Sequence, residues 1–375
     1  MGWLSGWDKR IKLTVQHADI DADVSHFPVT VFLSSTHGDC VFDELTSDAN
    51  RTKIAFTKSD GTTQMYGEIE KWDDANEVAI IHVSLSGWSI SSSADTDFYM
   101  YYDSGHAANT TYIGDIDSTP GHSVWDSSYK FVCHMVDATT SSVKDSTSNG
   151  NDGTKTSASN PCEVNGKVGK GQDFSSDAIR LIGATPTLSN LTLEAVCKAD
   201  VVSSERFLIT RDDTGTMALD WWFGNDRGYS KVLGCPNGIF SLVAKSTSTV
   251  FSVSTWYHAV FTWDSTTAVL FMNGSSVPGS SGGSGAMISS DELNIGARKS
   301  GGEVNWDGII DEVRISNSAR TAAWIKATYN TLWDTLLTYG SEETSGWTGK
   351  VMGVTNPAKI MGVAVADIKS VMGVE

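Results

Sequence analysis

Short stretches of alternating apolar and polar residues, each closed by a turn former, run through most of this chain. The signals "SDG", "STPG", "SNGNDG", "CPNG" and "MNG" punctuate it, and strand-length runs lie between them. In "RIKLTVQ", Ile11, Leu13 and Val15 alternate with polar neighbours. A period of two places such a set on one face of a strand. "FPVTVFLS", "KIAFTK", "TQMYGEIEKW", "EVAIIHVSL", "DFYMYYD", "STWYHAVFTWD" and "AVLFMNGSSV" are all of strand length. The sharpest local signal is Asn273-Gly274. Both central positions of a type I′ turn need positive φ, so this pair predicts a hairpin. Abundant Ser, Thr, Gly and aromatic residues with only 7 Pro agree with an all-β chain. The one helical pattern is "NSARTAAWIKATYNT", residues 317–331, where Ser318 can cap and Ala322, Ile325 and Tyr329 share a face.

At 375 residues there is room for two domains and an attachment. Residues 1–105 read as one β-sandwich and 129–331 as a second; 106–128, polar and containing Pro120, read as a linker. Residues 332–375 differ. Val/Ile-Met-Gly-Val occurs there at 351–354, 360–363 and 371–374. The tetrad is apolar and β-prone, too short for a core of its own, and its Gly permits close backbone approach. Val351, Met352, Ile360, Met361, Val371 and Met372 are therefore read as a short repetitive C-terminal assembly tail. It would add strands to a neighbouring subunit or wind with copies of itself. Lys350, Lys359 and Lys369 make it slightly basic beneath an acidic body.

The formal net charge of −18 argues against nucleic acid, which needs clustered Lys and Arg. No apolar run reaches the roughly 18 residues that would cross a bilayer as a helix, so membrane insertion is not expected. The N-terminus "MGWLSGWDKRIKLTV" lacks the apolar core of a secretory signal, and with Met1 it leads us to expect a protein used without export. Five cysteines, an odd number and without CxxC spacing, read as reduced, mostly buried thiols.

Acidic residues raise the question of chemistry. In "WDGIIDEVRISNSAR", alternation puts Ile309, Asp311, Val313 and Ile315 on one face and Ile310, Glu312 and Arg314 on the other. Asp311 would then sit among aliphatics and need a cation, backbone N–H groups or a metal. Glu312 and Arg314 would form an ordinary exposed ion pair. In "KDSTSNGNDGTK", Asp145, Asn149, Asn151 and Asp152 crowd a Gly-containing loop; it suits either a Ca²⁺ ion or an Asx-rich turn. "EIEKWD" offers Glu68, Glu70 and Asp73, read as an exposed strand face. His82 and His258 alternate with apolar residues and read as packed core histidines. No GxSxG, HExxH or P-loop occurs. Thirteen Trp is many for this length; Trp221, Trp222 and Trp306 lie near predicted loops or strand ends, where a ring could stack on a sugar.

"DSTSNGNDGT", "VNGKVGKGQDF", "LTLEAVCKAD", "WYHAVFTWD…AVLFMNG", "LNIGAR" and "WDGIIDEVRISNSARTAAWIKATY" occur in that order. Together they resemble the LamG-like jelly-roll of the concanavalin A-like superfamily, over about 200 residues. The resemblance implies two curved antiparallel sheets face to face. It also implies a structural Ca²⁺ near Asp145, with Asn151, Asp152 and Asp311 as helpers; Thr147-Ser148 departs from the usual Ser-Gly of that loop. "WDKRIKLTV", "FPVTVFL", "IAFTKSDGTTQMYGEIEKWD" and "FYMYYD" are similar to a domain of unknown function that precedes such modules in microbial surface proteins, implying another sandwich. The tail resembles those of tailed-phage structural proteins. The expectation is a non-catalytic virion surface protein of a tailed virus: a capsid decoration, turret or tail-fibre subunit. It would contact other virion proteins or copies of itself through the tail, and surface glycans through the jelly roll. The alternatives are a secreted or cell-surface adhesin and, third, a glycoside hydrolase, for which Glu68 and Glu70 are the nearest acids.

Overall fold

The computed structural model describes the chain apart from Met1 and residues 138–139, 158–159, 183–189, 204–205, 213–218, 227–228, 236–243, 247–249, 281–291, 298–304, 346–349, 352–353, 356–358, 361–362 and 365–375. In Leu219–Asp226, Tyr229–Cys235 and the short strands beyond 349, only the backbone is described.

The first unit contributes β1 (Lys9–Val15), β2 (Val29–Leu33), β3 (Ile54–Lys58), β4 (Gln64–Asp73), β5 (Val78–Ser84), β6 (Thr96–Tyr102) and β7 (Ile113–Asp115). The second contributes β8 (Tyr129–Cys133), β9 (Cys162–Asn165), β10 (Lys170–Phe174), β11 (Leu191–Ala199), β12 (Trp256–Trp263), β13 (Ala268–Met272), β14 (Ser275–Ser276) and β15 (Gly308–Ser316). After a helix at Ala322–Leu332 comes β16 (Leu337–Thr344).

The first sheet runs β16–β1–β6–β3–β4–β5–β2, with β7 parallel beside β4. β4 turns its corner: Gln64 and Met65 pair with β3, and Tyr66–Asp73 pair with β5. The curled halves enclose one core, in which Ile11, Leu13 and Phe56 share a cluster with Val29, Ile69 and Ile81. The expected linker belongs to this unit. β7 extends its sheet, and Ile113, Val124 and Trp125 are buried in its core. The expected tail likewise begins late, because β16 pairs with β1 along Lys9–Val15. Without it β1 would present an unpaired row of N–H and C=O groups. The first sandwich is thus completed by a strand made after the second.

In the second unit one sheet runs β9–β10–β15–β11–β12–β13–β14, with β8 also on β15. The facing sheet runs Ser142–Val143, Gly153–Lys155, Ile179–Ile182, Glu292–Ile295, Arg206–Asp212, Leu219–Asp226, Tyr229–Cys235, Ala244–Ser246, Gly279–Ser280. Leu193, Phe261 and Ile310 of the first sheet and Leu181, Ile209 and Ile295 of the second fill the core between them. This is a jelly-roll-like sandwich. The hairpin at Asn273-Gly274 forms as expected, with φ of 51° and 77° and Met272 paired to Ser275.

The helix begins at Ala322, later than the pattern suggested, and Thr321 caps it in place of Ser318 by accepting from Trp324 N. Arg320, just before it, is held by both oxygens of Asp126 (2.6 and 2.9 Å) and lies over Tyr129 and Trp324. The helix wedges between the sandwiches. Trp324 and Ala327 join the first core, while Ile325 packs on Val260 and Phe271 of the jelly roll. A small apolar cluster of Ile80, Val168, Val196 and Leu332 also spans both units.

Two of the three tail repeats close on themselves: Val351 pairs with Val354 and Ile360 with Val363, each antiparallel. They are hairpins and not continuous strands, because pairing within a tetrad prevents extension through it. The side chains of Val351 and Ile360, and all of Met352, Met361, Val371 and Met372, lie outside the described residues.

Candidate functional site

Beside the apolar cluster, β4 and β5 of the first unit face β15 and the end of β8 of the second. Two β-bulges shape this contact. The register of β4 on β5 slips between Ile69 and Lys71, leaving Glu70 extra. The register of β15 on β11 slips so that Ala195 opposes Val313 and Cys197 opposes Ile310, leaving Asp311 and Glu312 opposite Val196. A bulge breaks the period of two and re-aims a side chain. Ile310 and Val313 therefore both enter the jelly-roll core, and both acids turn away from it towards the other sandwich. The expected division of faces, with Asp311 beside Val313, fails for this reason.

The result is a buried polar cluster. Glu70 Oε2 lies 2.8 Å from His82 Nε2 and 3.5 Å from His134 Nδ1. His134 Nδ1 is in close hydrogen-bond contact with Glu312 Oε1. The outer atoms are also held. His82 Nδ1 lies 3.1 Å from Thr30 Oγ1, and His134 Nε2 is 3.4 Å from Glu68 Oε2. Trp125 Nε1 donates to that Glu68 oxygen at 2.6 Å. Arg314 donates to Glu312 Oε2 from Nε and Nη2, at 3.1 and 2.7 Å. The two imidazoles stack, with centroids 4.6 Å apart. Every one of these charged side chains is buried. The Glu312–Arg314 pair is thus no exposed surface pair, and Glu68 and Glu70 are no exposed face; a second sandwich covers both. Only Asp73, capping a turn at the end of β4, is partly exposed.

Burial is the largest influence on Glu70, His82, His134 and Glu312, and neighbours decide where it is outweighed. Burial alone would discharge His134, but Glu312, with Glu68 and Glu70, holds its pKa well above the ordinary value. Burial, reinforced by His134, pushes His82 well down. Burial, with Glu312 and Asp311 adding to it, pushes Glu70 well up. Against burial, His134 and Arg314 hold Glu312 below the carboxylate range.

Asp311 is fully buried beside this cluster and answers to backbone. Its Oδ2 accepts from Lys167 N and Val168 N (2.7 and 2.8 Å), and its Oδ1 from Glu312 N (2.7 Å). Asp145 is elsewhere, against β8. Its carboxylate accepts from the backbone N–H groups of Val132, Thr147 and Asn151 and from Thr147 Oγ1. Asn149 and Asn151 donate to the carbonyl of Lys130, and Asp152 accepts from Asp145 N and Lys144 Nζ. The structure thus gathers Asp145, Asn149, Asn151 and Asp152 on one loop and places Asp311 in a separate cradle.

Trp306 is fully buried in the jelly-roll core, edge-on to Phe251, so it has no face for a sugar. Its surroundings follow from Trp306 N donating to Gly296 O, which pins the segment inward. Trp221 and Trp222 lie on a strand paired with Arg206–Asp212, but their side chains lie outside the described residues. His258 is buried, 3.2 Å from Glu194. Cys133 and Cys197 are buried, Cys40 is half-buried and Cys162 exposed, all as free thiols.

His134 is the residue that sequence reasoning missed. "KFVCHMVD" gives it no motif partner, and its ligating neighbours lie 52 to 178 positions away. Glu68, Glu70 and His82 did carry a signal: titratable residues set among apolar neighbours, Ile69 between the two acids and Ile80, Ile81 and Val83 around the histidine. Among the described His, Cys, Asp and Glu, the atoms of Glu70, His82, His134 and Glu312 come within 4.8 Å of one another, the arrangement a metal ion requires. A surface recess of about 370 Å³, lined by Asp48, Arg51, Trp72 and Asp115, reaches Glu70.

Several solved structures resemble part of this chain. Domain 4 of AbnA, a GH43 extracellular arabinanase from Geobacillus stearothermophilus, is 16% identical with a TM-score of 0.41, covering 51% of this chain and 98% of that one. A heptameric SAP-like pentraxin from Limulus polyphemus is 15% identical (TM-score 0.35; 40% and 73% covered). The binding domain of Paraclostridial Mosquitocidal Protein 1 is 16% identical (TM-score 0.43; 54% and 52% covered). No curated protein matches the chain. The second sandwich is the part with a family likeness: residues 173–326 match the concanavalin A-like lectin/glucanases superfamily.

Proposed function

We propose that this chain is a non-catalytic surface protein of a tailed-virus particle, whose jelly-roll module binds glycan and whose C-terminal hairpins attach it to neighbouring subunits. One observation carries the non-catalytic reading. Hydrolysis of a glycosidic bond needs two carboxyl groups facing a substrate-sized cleft, about 5–9 Å apart. The acids that the sequence offered for this, Glu68 and Glu70, are instead buried with Asp311 and Glu312 between the sandwiches and held by His134, His82, Trp125, Arg314 and backbone N–H groups. The match of residues 173–326 to a family of lectins and glucanases supports glycan recognition by the second sandwich. The self-paired tetrads at 351–354 and 360–363, beyond β16, support a separate attachment element.

Glycan-array screening of the full chain, followed by reducing-end assays on every bound glycan, tests this. The expected result is saturable binding without release of reducing ends. Cleavage abolished by Glu70→Gln overturns the non-catalytic reading, and absence of binding overturns the lectin reading. For the setting, labelling with an antibody to this chain should decorate particles; labelling confined to the cell envelope favours an adhesin.

A further inference from the structure

We propose that Glu70, His82, His134 and Glu312 bind one divalent first-row transition-metal ion, best Zn²⁺, which clamps the two sandwiches together.

The donor set fits first. Two imidazoles and two carboxylates suit zinc and its neighbours, whereas Ca²⁺ takes six or more oxygens. The spacing fits next. Tetrahedral bonds of ~2.1 Å place ligand atoms about 3.4 Å apart. Glu70 Oε2 lies 2.8 Å from His82 Nε2 and 3.5 Å from His134 Nδ1, and all four donor atoms fall within 4.8 Å of one another.

The shell around the donors is the stronger sign. A metal-bound imidazole generally gives its other nitrogen to an oxygen partner that sets its orientation. His82 meets Thr30 Oγ1 in this way, and His134 meets Glu68, itself fixed by Trp125. Glu312 presents Oε1 to the centre while Arg314 holds Oε2. Three of the four donors thus have their far atom supported and their near atom turned to a common point. Glu70 is the fourth; its fully buried Oε1 has no hydrogen-bond partner among the described residues. Buried polar atoms without partners call for an explanation, and a bound ion is one.

Charge completes the case. Metal ligands bind deprotonated, and once the four donors have given up their protons Glu68, Glu70 and Glu312 face the single fixed cation Arg314, a surplus of two negative charges before Asp311 is counted. A divalent cation balances it. The two bulges put Glu70 and Glu312 at the meeting point, and each sandwich supplies one carboxylate and one histidine.

The full chain tests this. It should retain about one equivalent of Zn²⁺ through dialysis, lose it to a strong chelator with a fall in Tm, and recover both on adding Zn²⁺. Cobalt in place of zinc should give the visible absorption of a four-coordinate site. Glu70→Gln and Glu312→Gln keep shape but trade one acceptor oxygen for an NH₂, so they should bind Zn²⁺ at least tenfold more weakly, with circular dichroism showing that each variant is folded. Folded wild-type chain holding under about a tenth of an equivalent after incubation with excess Zn²⁺ or Co²⁺, at a Tm indifferent to chelator, overturns the proposal. It would leave a cluster balanced by protons alone. Undiminished metal in both Gln variants also overturns it, placing the ion elsewhere, such as the Asp145 loop. Glycan binding is a separate readout, so its loss or survival does not decide the metal.

Discussion

Replacing Asp311 with Asn asks what this buried acid is for. Its three acceptor contacts are all backbone N–H groups, at 2.7, 2.8 and 2.7 Å, shared between both oxygens. An Asn side chain has one acceptor oxygen and one NH₂ donor. Whichever way it turns, NH₂ faces a backbone N–H. If the oxygen serves Lys167 and Val168, the N–H of Glu312 is stranded; if it serves Glu312, two are stranded. Hydrogen bonds to a charged group are worth about 1.5–3 kcal/mol each, and an unsatisfied buried donor costs about 1–3 kcal/mol. Against this, Asn escapes the cost of burying a carboxylate, a burial that, with Glu312 adding to it, pushes the Asp311 pKa well up. The balance predicts a loss of about 2 kcal/mol for Asp311→Asn and about 4 kcal/mol for Asp311→Ala, which strands all three donors. Urea unfolding measures the loss. Hydrogen exchange should locate it, with the amides of Lys167 and Val168 exchanging faster than their neighbours. An Asn variant as stable as the wild type, with those amides still protected, would refute the reasoning: burial would then cost what the three bonds return.

Gly169→Ala should destabilise by about 1–3 kcal/mol, since the position has φ of +53° and a Cβ would sit 2.0 Å from Glu70 Oε1; thermal melting checks this, and an unchanged Tm would show that Glu70 moves freely. Arg320→Ala should cost about 1–3 kcal/mol by leaving the half-buried Asp126 with only the N–H of Ser128, measured by urea unfolding, with Asp126→Asn in the same background recovering part of it. The Glu44 carboxyl, despite burial, is brought down to about 2 from the ordinary 4.5 by Ser104 and Lys9. A depressed carboxyl stabilises the fold above its unfolded value and loses that contribution as pH falls, so Glu44→Gln should flatten stability between pH 4.5 and about 2 and a parallel acid profile would refute the assignment.

Strand by strand, the alternation in "RIKLTVQ" and the Asn273-Gly274 turn were legible because both are local: a period of two and two positive φ values need only neighbouring residues. The sandwich class followed from them. The helix was legible as a pattern but misplaced at its start, because the Arg320–Asp126 pair that delays it joins residues almost two hundred positions apart. The strand β16 was read as part of a tail for the same reason; its partner β1 begins the chain.

The acids divide the same way. That Asp311 must be satisfied by something was readable from a charge among aliphatics; that backbone N–H groups do it was not, since the loop Lys167–Val168 arrives from 143 residues away. Alternation, reliable elsewhere, misassigned Asp311, because a bulge is an extra residue in a pairing and a single strand carries no trace of its partner's register. The sequence by itself determined the strands and, away from the bulges, their inward faces, since these follow from short-range periodicity; the jelly roll was carried by resemblance to a known family. Only the tertiary structure decided that Glu70, His82, His134 and Glu312 converge. Their encounter is set by how two sandwiches dock, and docking depends on surfaces that no local pattern records.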